Sequence, residues 1–78
     1  MTNIEKYKNA FIDSFNIDEA ELKGLEYQGI PGWDSIGHMS LIAMLEDEFD
    51  IMMDTDDIID FSSFEKGKEI IGKYDVVL

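Results

Sequence analysis

Apolar residues recur three and four positions apart in this chain, and no segment alternates between apolar and polar residues for long enough to propose a sheet. The first such stripe contains Ile4, Tyr7, Phe11 and Phe15. This spacing places side chains on one face of an α-helix, whereas a half-buried strand needs strict alternation. The sequence therefore predicts an all-α fold.

The first half of the chain predicts one helix followed by a long loop. Thr2 or Asn3 is a suitable N-cap for a helix that continues to Phe15, and Asn16 is suited to end it. Residues 16–33 contain glycines and the single proline, which break any longer helix. We expect an ordered loop whose apolar side chains are tucked against the helices: Ile17, Leu22, Leu25, Tyr27 and Ile30.

The strongest helix signal lies in the middle of the chain. Asp34 is a good N-cap, and the helix that it introduces runs from Ser35 to Phe49 or Asp50. The apolar residues of this helix are predicted to share one broad face: Ile36, Met39, Ile42, Ala43, Leu45 and Phe49. Because Ser35 stands at the start of the helix, we expect its hydroxyl to be exposed to water.

Two further helices are predicted after the central one. The first is short and has Asp54 or Thr55 as its cap. Ser62 and Glu65 have the spacing of a capping box, which introduces the last helix. The short helix is predicted to run through residues 56–60, and the last helix is predicted to follow the Ser62 cap and run through Tyr74. The chain thus predicts three substantial helices, one short helix and one long first loop.

Composition limits the classes of function. The chain has 78 residues, which is enough for one domain over 1–78 but leaves little room for a substrate pocket and a lid, so no enzyme is expected. Eighteen acidic against six basic residues give a net charge of −12, which disfavours nucleic acid and anionic membranes and favours basic patches on proteins. There is no cysteine, and no segment resembles a signal peptide, so we expect a cytoplasmic protein.

Ser35 is a nucleophile without an evident base. His38 lies three residues further along the same helix face, which invites comparison with a Ser-His-Asp hydrolase. However, Asp34 is adjacent to Ser35 and cannot easily reach behind His38 to orient it. We therefore expect His38 to be a histidine on the helix surface, and we predict that Ser35 is modified and that no residue of the chain is catalytic.

The sequence Asp34-Ser35-Ile36, with the helix behind it, resembles the modification motif of acyl carrier proteins. The likeness extends over nearly the whole chain, through the segments 2–33, 41–50, 54–61 and 62–74. This resemblance implies a four-helix bundle, with three main helices, one short helix and a long loop between helices one and two. It further implies that Ser35 carries 4′-phosphopantetheine as a phosphodiester, attached by a separate phosphopantetheinyl transferase that uses coenzyme A.

The resemblance also implies the function and the partners. Acyl groups are carried as thioesters on the terminal thiol of the arm, in fatty acid biosynthesis or in a specialised lipid, polysaccharide or polyketide pathway. Asp34 helps the transferase to hold its metal ion. The docking face for basic patches of acyl-loading and acyl-transferring enzymes is formed by Ile36, Met39, Glu46, Asp47 and Glu48. The chain is expected to act as a monomer.

The residues after the motif leave the cargo open. Gly37 and His38 stand where many fatty-acid carriers have acids, which is more typical of specialised carriers or of aminoacyl and peptidyl carriers. From a different class, the alternative is a non-covalent helical interaction module or a calcium-responsive module. Residues 54–65 match several positions of a calcium loop, but Ile58 and Ile59 stand where an oxygen ligand and glycine are needed. No metal site is therefore predicted.

Overall fold

Four α-helices and one short 3-10 helix form the regular structure of the computed structural model, which describes residues 1–78. The structure contains no β-strand, so the all-α prediction is confirmed. The helices are α1 (Asn3–Phe15), α2 (Ser35–Phe49), α3 (Thr55–Asp60) and α4 (Phe64–Gly72), and the 3-10 helix is Glu19–Leu22. None of the helices has both the length and the apolar character needed to cross a membrane.

The ends of α1 and α2 agree with the prediction. Thr2 caps α1 through a capping box, because its hydroxyl accepts from Glu5 N at 3.3 Å while the Glu5 carboxylate accepts from Thr2 N at 3.2 Å. Asp34 caps α2 by accepting from the backbone N–H three residues further on, at 2.8 Å. Both helices end at a residue in the left-handed conformation, Asn16 with φ 54° and Asp50 with φ 52°.

The last helix begins one residue later than predicted. Ser63, and not Ser62, is its N-cap, and the Ser63 hydroxyl accepts from the N–H of the third helical residue at 2.9 Å. The carbonyl of Ser62 instead accepts from Tyr27 N at 2.8 Å, which ties the start of α4 to the first loop. This long-range pairing leaves Ser63 as the last residue before the helix and displaces the capping box predicted for Ser62 and Glu65.

An aromatic cluster forms the centre of the core. Tyr7 and Phe11 extend from α1 and contact Trp33, Phe61 and Phe64, and all five side chains are buried. The centroid of the Phe11 ring lies 5.1 Å from that of Phe64 and 5.4 Å from that of Trp33. The Tyr7 hydroxyl donates to the Phe64 carbonyl at 2.7 Å, and burial raises the pKa of this tyrosine. The cluster therefore joins α1 to the loop and to α4.

Only part of the apolar face of α2 is buried. Leu41, Ile42 and Leu45 are buried, so the prediction is correct for Ile42 and Leu45. Ile36 and Met39, in contrast, are 79% and 55% exposed. Because successive residues are about 100° apart around a helix, position 36 lies opposite the buried positions 41, 42 and 45 and faces solvent. In the first loop, Leu22 and Leu25 are buried as expected, whereas Tyr27 remains 37% exposed.

Gly67 lies where α4 passes over the aromatic cluster. A Cβ atom at this position would overlap the Tyr7 hydroxyl and the Phe61 ring. Alanine has a higher helix propensity than glycine, but overpacking of the core outweighs this gain. We expect Gly67→Ala to lower the free energy of unfolding by about 1–3 kcal/mol. Gly72→Ala is the matched control, because no atom lies within 4 Å of its Cβ position, and it should stabilise by about 0.5 kcal/mol.

Urea denaturation of the two glycine variants measures this difference. A lower midpoint for Gly67→Ala and an equal or higher midpoint for Gly72→Ala, at unchanged m-values, are the expected results. Equal effects of the two substitutions would show that the α4–core contact is looser than the structure indicates.

Asp57 is a buried acid that connects α3 to the residues after α4. Its carboxylate accepts hydrogen bonds from Lys73 Nζ at 2.6 Å and from the Tyr74 hydroxyl. These two bonds, with the larger contribution from Lys73, lower the pKa of Asp57. A carboxyl group whose pKa is lower in the folded state stabilises the fold above its unfolded-state pKa of about 3.9, and this stabilisation is lost as the pH falls through the folded-state pKa.

Asp57→Asn is accordingly expected to lower the melting temperature at pH 7. The difference from the wild type should narrow as the pH falls below about 4, because Asp57 is protonated first in the unfolded state and then, at its lower pKa, in the folded state. Circular dichroism melts at pH 7, 5 and 3 measure this difference, with Asp56→Asn as the control because Asp56 is an exposed acid on the same helix. A difference of equal size at pH 7 and pH 3 would contradict the assignment of the pH dependence to Asp57.

Candidate functional site

Ser35 is the first residue of α2, and its side chain is exposed as predicted. The first hydrogen bond of the helix runs from His38 N to Asp34 O at 2.7 Å, and the Gly37 N–H is bound by the Asp34 side chain. The N–H groups of Ser35 and Ile36 precede this bond and have no acceptor within the helix. A negatively charged group on Ser35 would lie at the positive end of the helix dipole, beside these free donors.

Two ring hydrogen bonds fix His38 behind the serine. Trp33 Nε1 is 2.9 Å from His38 Nδ1, and His38 Nε2 is 2.8 Å from the Ile58 carbonyl oxygen. Because the indole N–H only donates, His38 Nδ1 must accept, and Nε2 carries the proton that is donated to Ile58. His38 is half-buried and links the loop, α2 and α3, so the prediction of a surface histidine is wrong.

The same two bonds determine what His38 can do to Ser35. Both nitrogen atoms of the ring are occupied by other residues, and neither is directed at the serine hydroxyl. General-base activation of a serine needs a nitrogen that accepts from the hydroxyl and a third group that orients the ring from its other side. The arrangement therefore lacks the geometry of a Ser-His-Asp triad.

Trp33, the residue before the motif, packs against α1. Its side chain is fully buried and stacks on Phe15, with centroids 5.4 Å apart and an interplanar angle of 27°. It also meets the edge of Phe11 at 5.4 Å. This packing fixes the end of the loop, so that Asp34 and Ser35 follow from a rigid base.

An apolar groove of about 350 Å³ lies beside Ser35. It is formed where the first loop, α2, α3 and the residue pair after α3 meet, and its lining is Tyr27, Ser35, His38, Met39, Ile58, Ile59, Phe61 and Ser62. No carboxylate and no ammonium group is among these side chains. A flexible group attached to the Ser35 hydroxyl would have an uncharged apolar surface within reach.

Four of the five predicted docking residues are exposed, and three of these four share one side of α2. Ile36 and Met39 lie within the first five residues of the helix, close to Ser35. Asp47 is also exposed, and it follows Ile36 by about three full turns. It therefore lies on the same side of the helix, about 16 Å further along the axis. The structure thus places an apolar pair and one acid along one exposed side of α2, which begins next to the serine.

The other two acids of that set are directed elsewhere. Glu46 is half-buried, and its Oε2 atom accepts from Met53 N at 2.9 Å, which stabilises the connection between α2 and α3. Glu48 borders a hollow on the α1 side of the molecule together with Lys6 and Met44. The family resemblance groups these two acids with Asp47, but in the structure they have different surroundings.

The acidic segment 54–65, whose sequence matches several positions of a calcium loop, is partly helical in the structure. α3 spans Thr55–Asp60, and the Asp57 carboxylate is bound to Lys73 and Tyr74. Nowhere in residues 1–78 do three or more His, Asp or Glu side chains come together in a group that could hold a metal ion.

The residues of the groove outside α2 were not foreseen from the sequence. Ile59 is the clearest case, because it is 71% exposed although it is large and apolar. A six-residue helix is too short for periodicity to show which side is free. Tyr27 and Ser62 come from segments 35 residues apart, and backbone pairing between these segments, which includes the hydrogen bond from Tyr27 N to Ser62 O, brings them together.

Comparison with known proteins adds no assignment to this site. No protein-family model matches the chain, and no curated protein matches it at a significant level. The features of the site that bear on function are an exposed hydroxyl at a capped helix start, two free N–H groups and an adjacent apolar groove.

Proposed function

We propose that this chain is an acyl carrier protein with the four-helix bundle fold of that family, and that Ser35 carries its 4′-phosphopantetheine arm. The observation that carries the proposal is the exposed Ser35 hydroxyl at the first position of the longest helix, directly after the capping Asp34. The residues present fit the group: the free N–H groups of Ser35 and Ile36 suit a phosphodiester, and the groove offers apolar surface for the rest of the arm.

Attachment of the arm is a phosphoryl transfer to the serine oxygen. Ser35 Oγ bonds to the pantetheine-bearing phosphorus of coenzyme A, and the bond from that phosphorus to 3′-phospho-AMP breaks. The hydroxyl proton passes to a base of the transferase, because both nitrogens of His38 are engaged within the chain. When bound, the group supplies a thiol that carries acyl groups as thioesters, a function that a chain without cysteine cannot supply itself.

Asp34 has two functions in this proposal. Its Oδ1 atom accepts from Gly37 N and so holds the start of α2 in a fixed orientation. Its Oδ2 atom accepts no hydrogen bond within the chain and is free to approach a metal ion held by the transferase. One carboxylate can thus position the serine and assist its modification.

The exposed side of α2 is the proposed docking surface for the transferase and for acyl-loading and acyl-transferring enzymes. Ile36 and Met39 provide apolar contacts beside Ser35, and Asp47 provides an acid on the same side. Glu46 and Glu48 add to the negative field of a molecule with net charge −12. Attraction to basic patches of partner enzymes should give fast association that weakens with salt. We further propose that the protein acts as a cytoplasmic monomer.

Intact-protein mass spectrometry tests the proposal. After incubation with coenzyme A, Mg²⁺ and a broad-specificity phosphopantetheinyl transferase, the mass should rise by one 4′-phosphopantetheine group. An established acyl carrier protein in the same reaction is the positive control. No rise in mass, under conditions that fully modify the control, would contradict the carrier function and favour a non-covalent interaction module.

A further inference from the structure

The single histidine of the chain is hydrogen-bonded to its single tryptophan. Trp33 Nε1 donates to His38 Nδ1 at 2.9 Å, and the two rings lie nearly parallel, at an interplanar angle of 16°. The Trp33 side chain is fully buried, whereas His38 is half-buried and lines the groove beside Ser35. The histidine therefore connects a surface groove to a buried donor of the core.

Only the neutral form of His38 fits this arrangement. The neutral ring has one accepting and one donating nitrogen, which match the Trp33 N–H and the Ile58 carbonyl. A protonated ring donates from both nitrogens, so Nδ1–H would be directed at the indole N–H, which cannot accept. Rotation of the ring by half a turn does not restore the bond, because it brings a carbon atom to the position of Nδ1. Protonation therefore leaves the buried indole N–H without an acceptor, which is unfavourable.

The surroundings of the ring do not compensate for a positive charge. No carboxylate forms an ion pair with His38, and the other side chains of the groove are uncharged. Asp34 and Asp57 accept hydrogen bonds from other groups of the chain. A protonated ring is therefore better accommodated by water in the groove than in its present position. The titratable groups on the segments packed against the ring are Glu26 and Tyr27 in the loop, Asp34 before α2, and Asp54, Asp56, Asp57 and Asp60 at α3.

We propose that His38 is a pH-sensitive switch between the first loop and α2. The neutral ring holds Trp33, and protonation breaks that bond and shifts the ring away from Trp33 and towards the groove beside Ser35. Histidine is the side chain that ordinarily changes charge between about pH 5 and 8, so mild acidification operates the switch. The inference concerns the fold itself and holds whether or not Ser35 is modified.

The sign of the pH dependence follows from the two forms of the ring. The folded state favours neutral His38, whereas the unfolded chain has no such preference, so the unfolded state takes up the proton first. The stabilisation is therefore complete above about pH 7 and is lost as the pH falls towards about 5. Asp57 loses its stabilising charge only below about pH 4, so the two effects are separable.

An NMR titration of the full-length wild-type protein tests the switch. The Trp33 indole N–H and the His38 ring can be assigned directly, because each residue type occurs once. At about pH 8, the ¹⁵N signals of the ring should show the tautomer with its proton on Nε2, and the indole N–H should exchange slowly with water. Its protection, relative to a free indole at the same pH, should fall about tenfold as the ring becomes protonated towards about pH 5.

His38→Asn removes the titration and leaves an amide oxygen that can accept from the Trp33 N–H. The melting temperature of the wild type should exceed that of this variant by less at pH 5 than at pH 8, because only the wild type loses a contact in this range. Asp57→Asn is the control, because its difference from the wild type should be the same at pH 8 and pH 5. The wild-type titration decides the question even if His38→Asn does not fold.

Three results would overturn the inference. A His38 ring that stays neutral down to about pH 5 would show that mild acidification does not operate the switch. A protonated ring with unchanged protection of the Trp33 N–H would show that the bond is not released. A melting-temperature difference between the wild type and His38→Asn that is equal at pH 8 and pH 5 would show that the fold does not favour the neutral ring.

Discussion

Ser35→Ala is expected to abolish the modification completely, because alanine has no oxygen that can form the phosphodiester. The substitution removes an exposed hydroxyl at the first helical position, while the cap at Asp34 and the buried face of α2 are unchanged. The free energy of unfolding should therefore stay within about 0.5 kcal/mol of the wild type. Loss of the mass increase would then reflect the missing hydroxyl and not an unfolded substrate.

Ser40→Ala is the matched control for this prediction. Ser40 is also an exposed serine on α2, and it lies about one and a half turns beyond Ser35. The Ser40→Ala variant should be modified at the wild-type rate, because the free N–H groups and the capping Asp34 are absent from the surroundings of Ser40. A mass increase for Ser35→Ala, or the absence of a mass increase for Ser40→Ala, would contradict attachment at Ser35.

Trp33→Ala is expected to lower the free energy of unfolding by about 3–5 kcal/mol, the usual cost of removing a buried tryptophan. The fully buried ring contacts Phe11 and Phe15, and its N–H donates to His38. Alanine would leave a cavity between α1 and α2 and an imidazole nitrogen without its donor. Domains are typically stable by only about 5–15 kcal/mol, so this loss is a large share of the total.

Trp33→Phe separates the two contributions. It keeps an aromatic ring in the core but removes the N–H that donates to His38 Nδ1, and we expect a smaller loss of about 1–2 kcal/mol. Urea denaturation followed by circular dichroism measures both variants. A stability of Trp33→Ala within 1 kcal/mol of the wild type would contradict the central position of this ring in the core.

Local interactions explain why much of the helical structure was predictable. The caps at Thr2 and Asp34 and the left-handed ends at Asn16 and Asp50 each depend on residues within one or two turns. The start of α4 was predicted one residue early, because the pairing of Ser62 O with Tyr27 N depends on a contact that spacing does not reveal.

The surroundings of the serine were predictable only in part. The motif predicts Ser35 and Asp34 as site residues, and the exposure of Ser35 and the capping by Asp34 are local properties of a helix start. The groove combines residues from the loop, α2 and α3, and the position of His38 depends on Trp33 and on a carbonyl 20 residues away. Helical periodicity shows which residues share a side, but it does not show which side the rest of the chain covers, as the exposure of Ile36 demonstrates.

Localisation of the added group by fragmentation mass spectrometry tests the central claim most directly. The wild-type protein, modified with coenzyme A and the transferase, is fragmented, and the residue that retains the added mass is identified. We predict that the phosphodiester is found on Ser35 and on no other residue. Attachment at another hydroxyl, such as Ser40 or Ser63, or no attachment at all, would contradict the account.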